Sequence, residues 1–166
     1  MMTRLDASVR WLLLLVAAAA LLPFLLYTPH GPLLPKELGR LVLQEELSGE
    51  AARRVVDRMH GKAVAQEENV IGYYGDSAGG ATLYVTLYET AGEASRVEGL
   101  MADRIARGNP VFGHFRIIEV RGRRVAICYG MGQTHFFLSR GRALYWLAVD
   151  NEMAHETIQA LVRGFG

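Results

Sequence analysis

The sequence predicts an α+β domain that follows a single N-terminal transmembrane helix. Three observations support this prediction. They are an uncharged apolar run over residues 11–27, alternating strand-like and helix-like segments up to Gly108, and a series of strand-like segments after Pro110. The resulting order, β-α-β-β-α-β-β-β-β-α, is typical of a mostly antiparallel sheet with helices packed on one face.

The apolar run, WLLLLVAAAALLPFLLY, begins directly after Arg10. In a helix it would cover about 25 Å, slightly less than the ~30 Å thickness of a bilayer hydrocarbon core. Trp11 and Tyr27 stand at its two ends, where aromatic rings prefer the headgroup level. A cleaved signal peptide is the alternative, but it requires small residues just after the run, whereas the alanines at 17–20 lie in its middle. We therefore expect an anchor that is not removed.

The distribution of positive charge predicts the orientation of this anchor. Arg4 and Arg10 precede the run, and the next Lys or Arg after it is Lys36. Because positive charge stays on the cytoplasmic side, the N-terminus is expected in the cytoplasm and the domain on the periplasmic or outer face. The intervening segment TPHGPLLP is rich in proline and predicts a stiff spacer. The predicted parts are residues 1–10 (cytoplasmic), 11–27 (anchor), 28–35 (spacer) and 36–166 (extracytoplasmic domain).

Local end signals define the elements of the domain. Thr90 and Glu93 have the spacing of a capping box, and Gly61 and Gly108 are expected to end helices. Short glycine-containing links predict antiparallel hairpins in the second half of the chain. The predicted strands cover residues 41–47, 69–74, 81–89, 112–120, 124–130, 134–138 and 143–149, and the predicted helices cover residues 48–60, 90–107 and 152–163.

Composition excludes several classes of function. The formal net charge is +1, which argues against a general nucleic-acid-binding protein. The single cysteine, Cys128, excludes an internal disulfide bond and is expected to be a buried thiol. The histidines lack the short spacing of metal-binding pairs, and there is no CxxCH motif for covalent haem. We expect no metal and no cofactor.

Several strings of residues together resemble a family of uncharacterised, membrane-anchored or exported bacterial α+β domains. These strings are LPKELG at 34–39, HGK at 60–62, ATLYVTLY at 81–88, GMGQTHFF at 130–137 and LYWLAVD at 144–150. The resemblance extends over nearly all of residues 34–166. It implies an extracytoplasmic protein of the bacterial envelope and assigns no active site.

Two motifs look catalytic but lack the required context. GDSAG at 75–79 matches the nucleophile motif GxSxG, yet a strand follows it where an α/β-hydrolase needs a helix. Gly130-Met131-Gly132 begins like a dinucleotide fingerprint but lacks the third glycine and the helix N-terminus. Both motifs are interpreted as turns. No catalytic residue is assigned, and a non-enzymatic role is preferred while the question of activity stays open.

Two sets of residues are candidates for binding. Ligand-binding candidates, if the fold brings them together around a pocket, are His60, Tyr74, His114 and His135. The second set comes from the hairpin links RGRR and SRGR, which a meander places at the same end of the sheet. These candidates for contact with an anionic surface are Arg121, Arg123, Arg124, Arg140 and Arg142. The alternative for the second set is solvated, edge-protecting hairpin tips.

The sequence therefore predicts a single-pass anchored module that acts by binding in the cell envelope. The membrane is contacted through residues 11–27, and the further partner is an envelope protein or an anionic surface. One alternative is a small extracytoplasmic enzyme of unassigned class. Another is a haem- or metal-binding module.

Overall fold

The computed structural model describes residues 33–60 and 68–165. The predicted cytoplasmic segment, the predicted anchor and most of the predicted spacer lie outside the described residues. Among the helices within the two described ranges, none is long and apolar enough to cross a lipid bilayer.

The described chain forms strands and helices in nearly the predicted places. The strands are β1 (Glu37–Leu38), β2 (Leu41–Ser48), β3 (Glu68–Gly75), β4 (Gly80–Leu87), β5 (Gly113–Val120), β6 (Arg123–Gly130), β7 (Gln133–Arg140) and β8 (Ala143–Asp150). The helices are α1 (Gly49–His60), α2 (Ala91–Ala106) and α3 (Ala154–Arg163), with a short 3-10 turn, Asn151–Met153, before α3. The predicted cap of α2 is confirmed, because the Thr90 hydroxyl accepts a hydrogen bond from the Glu93 N–H at 3.1 Å.

All strands belong to one eight-stranded sheet of order β1-β2-β3-β4-β8-β7-β6-β5. Every neighbouring pair is antiparallel. The four-strand meander β5–β8 folds back so that its last strand, β8, joins the first half of the chain at β4. The predicted α+β class and antiparallel sheet are confirmed.

Helices α1 and α2 lie on one face of the sheet, as predicted. Ala52 and Val56 of α1 pack on Ile71 of β3. Ile105 of α2 packs with Phe137 of β7 and other buried residues of the meander. These contacts bury the side of the sheet that we call the outer face.

Helix α3 packs against the opposite, inner face. In β8 the side chains of Tyr145 and Leu147 join the cluster that contains α3, whereas Leu144 packs with α2. Since successive side chains of a strand point to opposite faces, α2 and α3 lie on opposite sides of the sheet. Helix α3 contacts β8 and also both edge strands, β1 and β5, so the sheet curls around it. The main hydrophobic core lies between α3 and this inner face.

The folded unit begins earlier than the predicted boundary at Lys36. Leu34 is only 5% exposed and belongs to the main core. The short strand β1, which was not predicted, pairs with β2, and the Lys36 carbonyl extends this pairing by accepting from the Leu43 N–H at 2.9 Å. Residues 33–35, assigned to the spacer by sequence, thus belong to the domain.

Candidate functional site

Two hairpin links meet at one end of the sheet. Arg121 and Gly122 connect β5 to β6, and Gly141 and Arg142 connect β7 to β8. The residues at Arg121 and Gly122 have φ angles of 51° and 77°, as a tight two-residue hairpin requires. The strands are neighbours in the order β8-β7-β6-β5, so both links project from the same end. We call this region the arginine-rich end, and it comprises Arg121, Arg123, Arg124, Arg140 and Arg142.

The last described residue, Phe165, joins the two links. The guanidinium carbon of Arg140 lies 5.2 Å from the centroid of the Phe165 ring, and that of Arg123 lies 6.0 Å from it. The ring is itself buried against Tyr145, with 4.8 Å between the ring centroids. Two guanidinium groups from different hairpins therefore make cation–π contact with one shared ring.

The positive charges at this end face solvent. All five arginines are exposed, as is Arg163 at the end of α3. The ion pairs found among residues 33–60 and 68–165 join Arg40 to Asp76 and Arg53 to Asp57, and neither involves this end. Among the described residues, the guanidinium groups of the arginine-rich end therefore form no ion pair, although Arg142 donates to a backbone carbonyl.

One hydrogen bond nevertheless holds an arginine of this end in place. The Arg142 side chain donates from Nε to the Tyr88 carbonyl at 2.7 Å, which ties the β7–β8 link to the start of α2. Arg124 lies opposite Glu119 in the register of β5 and β6. The Glu98 carboxylate also lies near this end, since it lines the adjoining groove together with Arg124.

A groove of about 380 Å³ adjoins the arginine-rich end on the outer face. Its lining combines small residues with one acidic and one basic side chain: Ser95, Glu98, Gly99, Ala102, Ile117, Arg124, Ala126 and Ser139. The Glu98 Oε2 atom accepts from the Ser139 N–H at 2.8 Å and from its hydroxyl at 2.6 Å. These bonds join α2 to β7, and no histidine lies in the lining to activate the Ser139 hydroxyl.

His135 is buried in an aromatic cluster on the outer face. Its Nδ1 accepts from the Trp146 indole N–H at 3.1 Å, and its Nε2 donates to the Gly130 carbonyl at 3.0 Å. The edge of the Phe112 ring packs against it, with centroids 4.9 Å apart. Burial lowers the pKa of His135, against a smaller opposing effect of the Gly130 hydrogen bond. These contacts fit a neutral imidazole with a structural role.

The other ligand-binding candidates do not join His135. Tyr74 is buried in the main core on the inner face, where its hydroxyl donates to the Pro35 carbonyl at 2.9 Å. Burial, together with the charge of Glu46, raises the pKa of Tyr74. His114 is exposed on the edge strand β5, next to Tyr129. His60 ends α1, and its side chain lies outside the described residues. Tyr74, His114 and His135 therefore do not line a common pocket.

The GDSAGG segment forms a hydrogen-bonded turn between β3 and β4. The Asp76 Oδ1 atom accepts from the N–H groups of Ala78 at 2.7 Å and Gly79 at 3.0 Å, which is an Asx-type turn. Asp76 also pairs with Arg40 at 3.1 Å. Asp150 accepts from the Gly80 N–H at 2.8 Å and ties the turn to β8. The interpretation of this motif as a turn is confirmed.

Cys128 is expected to be chemically inert in the folded domain. Its side chain is completely buried, and burial raises the pKa of the thiol to about 11. Since the thiolate is the reactive form, a maleimide at about pH 8 should leave Cys128 unmodified in the native protein and modify it fully after denaturation. Mass spectrometry of the labelled protein measures this, and rapid native labelling would contradict the buried position.

The sequence pattern identified the five arginines but missed Phe165, whose ring contacts two of them. Phe165 follows the end of α3 at Arg163 and is far in sequence from the hairpin links. The only local indication of this contact is that an aromatic residue, Phe165, comes just after the predicted last helix. Its contacts with Arg123 and Arg140 arise because α3 packs on the inner face.

Comparisons with known proteins provide no relative for this chain. No protein-family model matches the sequence, and no curated protein and no solved structure shows significant similarity to it. The resemblance to envelope α+β domains stays a prediction.

Proposed function

We propose that this protein is a membrane-tethered binding module of the cell envelope that engages a polyanionic partner through its arginine-rich end. The observation that supports the proposal is the pair of hairpin links held together over Phe165. Five exposed guanidinium groups in one region create a local positive field on a domain of nearly neutral net charge. Arginine is also suited to bidentate contacts with phosphate or carboxylate groups.

The site chemistry favours binding over catalysis. The buried His135 has both ring nitrogens engaged by Trp146 and Gly130. The Ser139 hydroxyl in the outer groove donates to the Glu98 carboxylate, which also accepts from the Ser139 N–H, and no histidine lies in the groove lining. A small enzyme remains the second candidate, with the groove beside Arg124 as the place where a substrate would bind.

Replacing the five arginines of the arginine-rich end by glutamine is expected to weaken polyanion binding by at least 100-fold. The expectation follows from about 1 kcal/mol for each basic residue near an anionic surface. Full-length protein in neutral detergent would be titrated with fluorescent inorganic polyphosphate, and binding followed by anisotropy. Wild-type affinity should fall steeply with salt, because screening weakens contacts between exposed charges.

A matched variant controls for net charge. It replaces five exposed arginines elsewhere in the domain by glutamine: Arg54, Arg58, Arg104, Arg107 and Arg116. This variant should retain most of the wild-type affinity, although it loses the same number of positive charges. Equal losses in both variants, or no salt-dependent binding by the wild type, would refute the proposed function.

A further inference from the structure

We infer that the opening between β6 and β7 at the arginine-rich end is a phosphate-binding subsite, and that the Glu98 carboxylate occupies this subsite in the free domain. The inference rests on the proposed function and identifies where a phosphate group of the polyanionic partner binds. It is carried by the register of the strands, by the side-chain acceptor of one strand N–H group and by the residues that line the adjoining groove.

The sheet opens between β6 and β7 towards the arginine-rich end. The pairing of these two strands ends at Ala126 and Phe137. Beyond this point, residues 123–125 of β6 still pair with β5, and residues 138–140 of β7 still pair with β8. The two strands therefore separate from each other, while the neighbour on the other side holds each of them in the sheet.

The Ser139 N–H group faces this opening. The pair that closes a two-residue hairpin is hydrogen-bonded, and such pairs recur at every second residue, so the Phe137 N–H is directed at β6 and the Ser139 N–H points the same way. Continued pairing would give this N–H the Arg124 carbonyl as its acceptor. It donates instead to the Glu98 Oε2 atom at 2.8 Å, and the Ser139 hydroxyl donates to the same atom at 2.6 Å. One carboxylate oxygen thus takes two donors that the separation of the strands leaves free.

The opening also carries a guanidinium group. Arg124 lines the groove of about 380 Å³ together with Glu98 and Ser139. The rest of the lining is uncharged and mostly small: Ser95, Gly99, Ala102, Ile117 and Ala126. A backbone N–H, a hydroxyl and an arginine are the donors with which proteins commonly bind phosphate oxygens. Glu98 therefore supplies an internal anion at the position that an external anion would take.

A phosphate group can use these donors more fully than Glu98 does. The Glu98 carboxylate accepts from Ser139, but among the described residues no ion pair joins it to Arg124. A terminal phosphate group has three acceptor oxygens, so it can bind the Ser139 donors and the Arg124 guanidinium at once. Glu98 is half-buried on the surface of α2, and rotation about its side-chain bonds would return the displaced carboxylate to water.

Nuclear magnetic resonance of the serine amides tests the position of the subsite. Full-length protein labelled with ¹⁵N at serine would be titrated in neutral detergent with inorganic pyrophosphate. The Ser139 amide signal should shift and saturate, because its N–H exchanges a carboxylate acceptor for a phosphate acceptor. The Ser77 signal should stay in place, since Ser77 lies in the β3–β4 turn at the opposite end of the sheet. The variant Ser139→Ala, which removes one labelled amide, assigns the signal.

Polyphosphate affinity tests the occupancy by Glu98. Glu98→Ala should tighten binding by about ten-fold or more, because it frees two donors for a charged acceptor. Glu119→Ala is the matched control, since exposed Glu119 lies opposite Arg124 and its loss removes the same charge without touching Ser139. An exposed charge of this kind should change the affinity by at most about five-fold. Glu98→Gln retains an acceptor for the Ser139 N–H and should resemble the control.

A Ser139 amide that does not move while the protein binds polyphosphate would overturn the inference, as would equal gains in affinity for Glu98→Ala and Glu119→Ala. Either result would make Glu98 a structural cap of β7 and leave the proposed function intact. The amide shift is measured in the wild type, so it decides the question even when an alanine variant unfolds. Absence of salt-dependent polyphosphate binding by the wild type would refute both proposals.

Discussion

Replacing Phe137 by alanine is expected to lower the free energy of unfolding by about 3–5 kcal/mol, the usual cost of removing a fully buried aromatic side chain. Phe137 is completely buried, and its ring stacks on Trp146 with centroids 5.0 Å apart and planes 5° from parallel. It also contacts the cluster beneath α2. The truncation would leave a cavity between the meander and α2, because the surrounding strands are fixed by backbone pairing on both sides.

Chemical denaturation followed by far-ultraviolet circular dichroism would measure this loss. Leu100→Ala is a suitable control, because Leu100 lies on α2, the helix that packs over Phe137, but is itself 54% exposed. Its replacement should change stability by less than about 0.5 kcal/mol. A cost for Phe137→Ala no larger than that of the control would contradict the packing of α2 on the outer face.

The stability of the domain is expected to fall as the pH decreases below 6.5, the ordinary pKa of histidine. Burial lowers the pKa of His135 in the folded state, so the unfolded chain binds a proton at a pH where the folded domain does not. The contribution of neutral His135 to the free energy of unfolding is therefore fully present above pH 6.5 and is lost as the pH falls through this value toward the folded-state pKa. The slope reaches at most about 1.4 kcal/mol per pH unit for one group.

Protonation is unfavourable at His135 because of its surroundings as well as its burial. A proton on Nδ1 would face the Trp146 indole N–H, which is itself a donor. Cys128 lies directly opposite His135 in register, and burial raises its pKa, so the neighbouring thiol remains neutral and supplies no compensating charge.

The variant His135→Gln is the test of this assignment. Glutamine retains a donor and an acceptor but does not titrate, so the loss of stability below pH 6.5 should be reduced, although the variant is less stable at neutral pH. His155→Gln serves as the matched control, because it makes the same substitution at an exposed histidine of α3. An identical acid slope in the wild type and in His135→Gln would assign the titration to another group.

Most elements could be predicted because their signals are local. Thr90 caps α2 through its own hydroxyl, and the links at Arg121–Gly122 and Met131–Gly132 adopt the positive φ angles that tight hairpins need. Strand β1 could not be predicted from a pattern, since it has only two residues. Its existence depends on pairing with β2, which a local window does not contain.

The separation of the ligand-binding candidates Tyr74 and His135 could not be predicted for a similar reason. Tyr74 and His135 are both polar residues within apolar strands, and such residues can either line a pocket or form internal hydrogen bonds. Their partners, the Pro35 carbonyl and the Trp146 indole, are distant in sequence and only the fold brings them into contact. Nothing in the strand patterns distinguished these two outcomes.

The sequence by itself determined the order of the elements, the hairpin links and the collection of arginines into two of those links. These properties depend on capping, turn chemistry and alternation within short windows. The tertiary structure alone decided which face each helix covers, because β8 is apolar on both sides and its alternation is uninformative. Placement of α3 on the inner face then brought Phe165 beneath Arg123 and Arg140, since curling of the sheet around α3 joins segments that no local pattern relates.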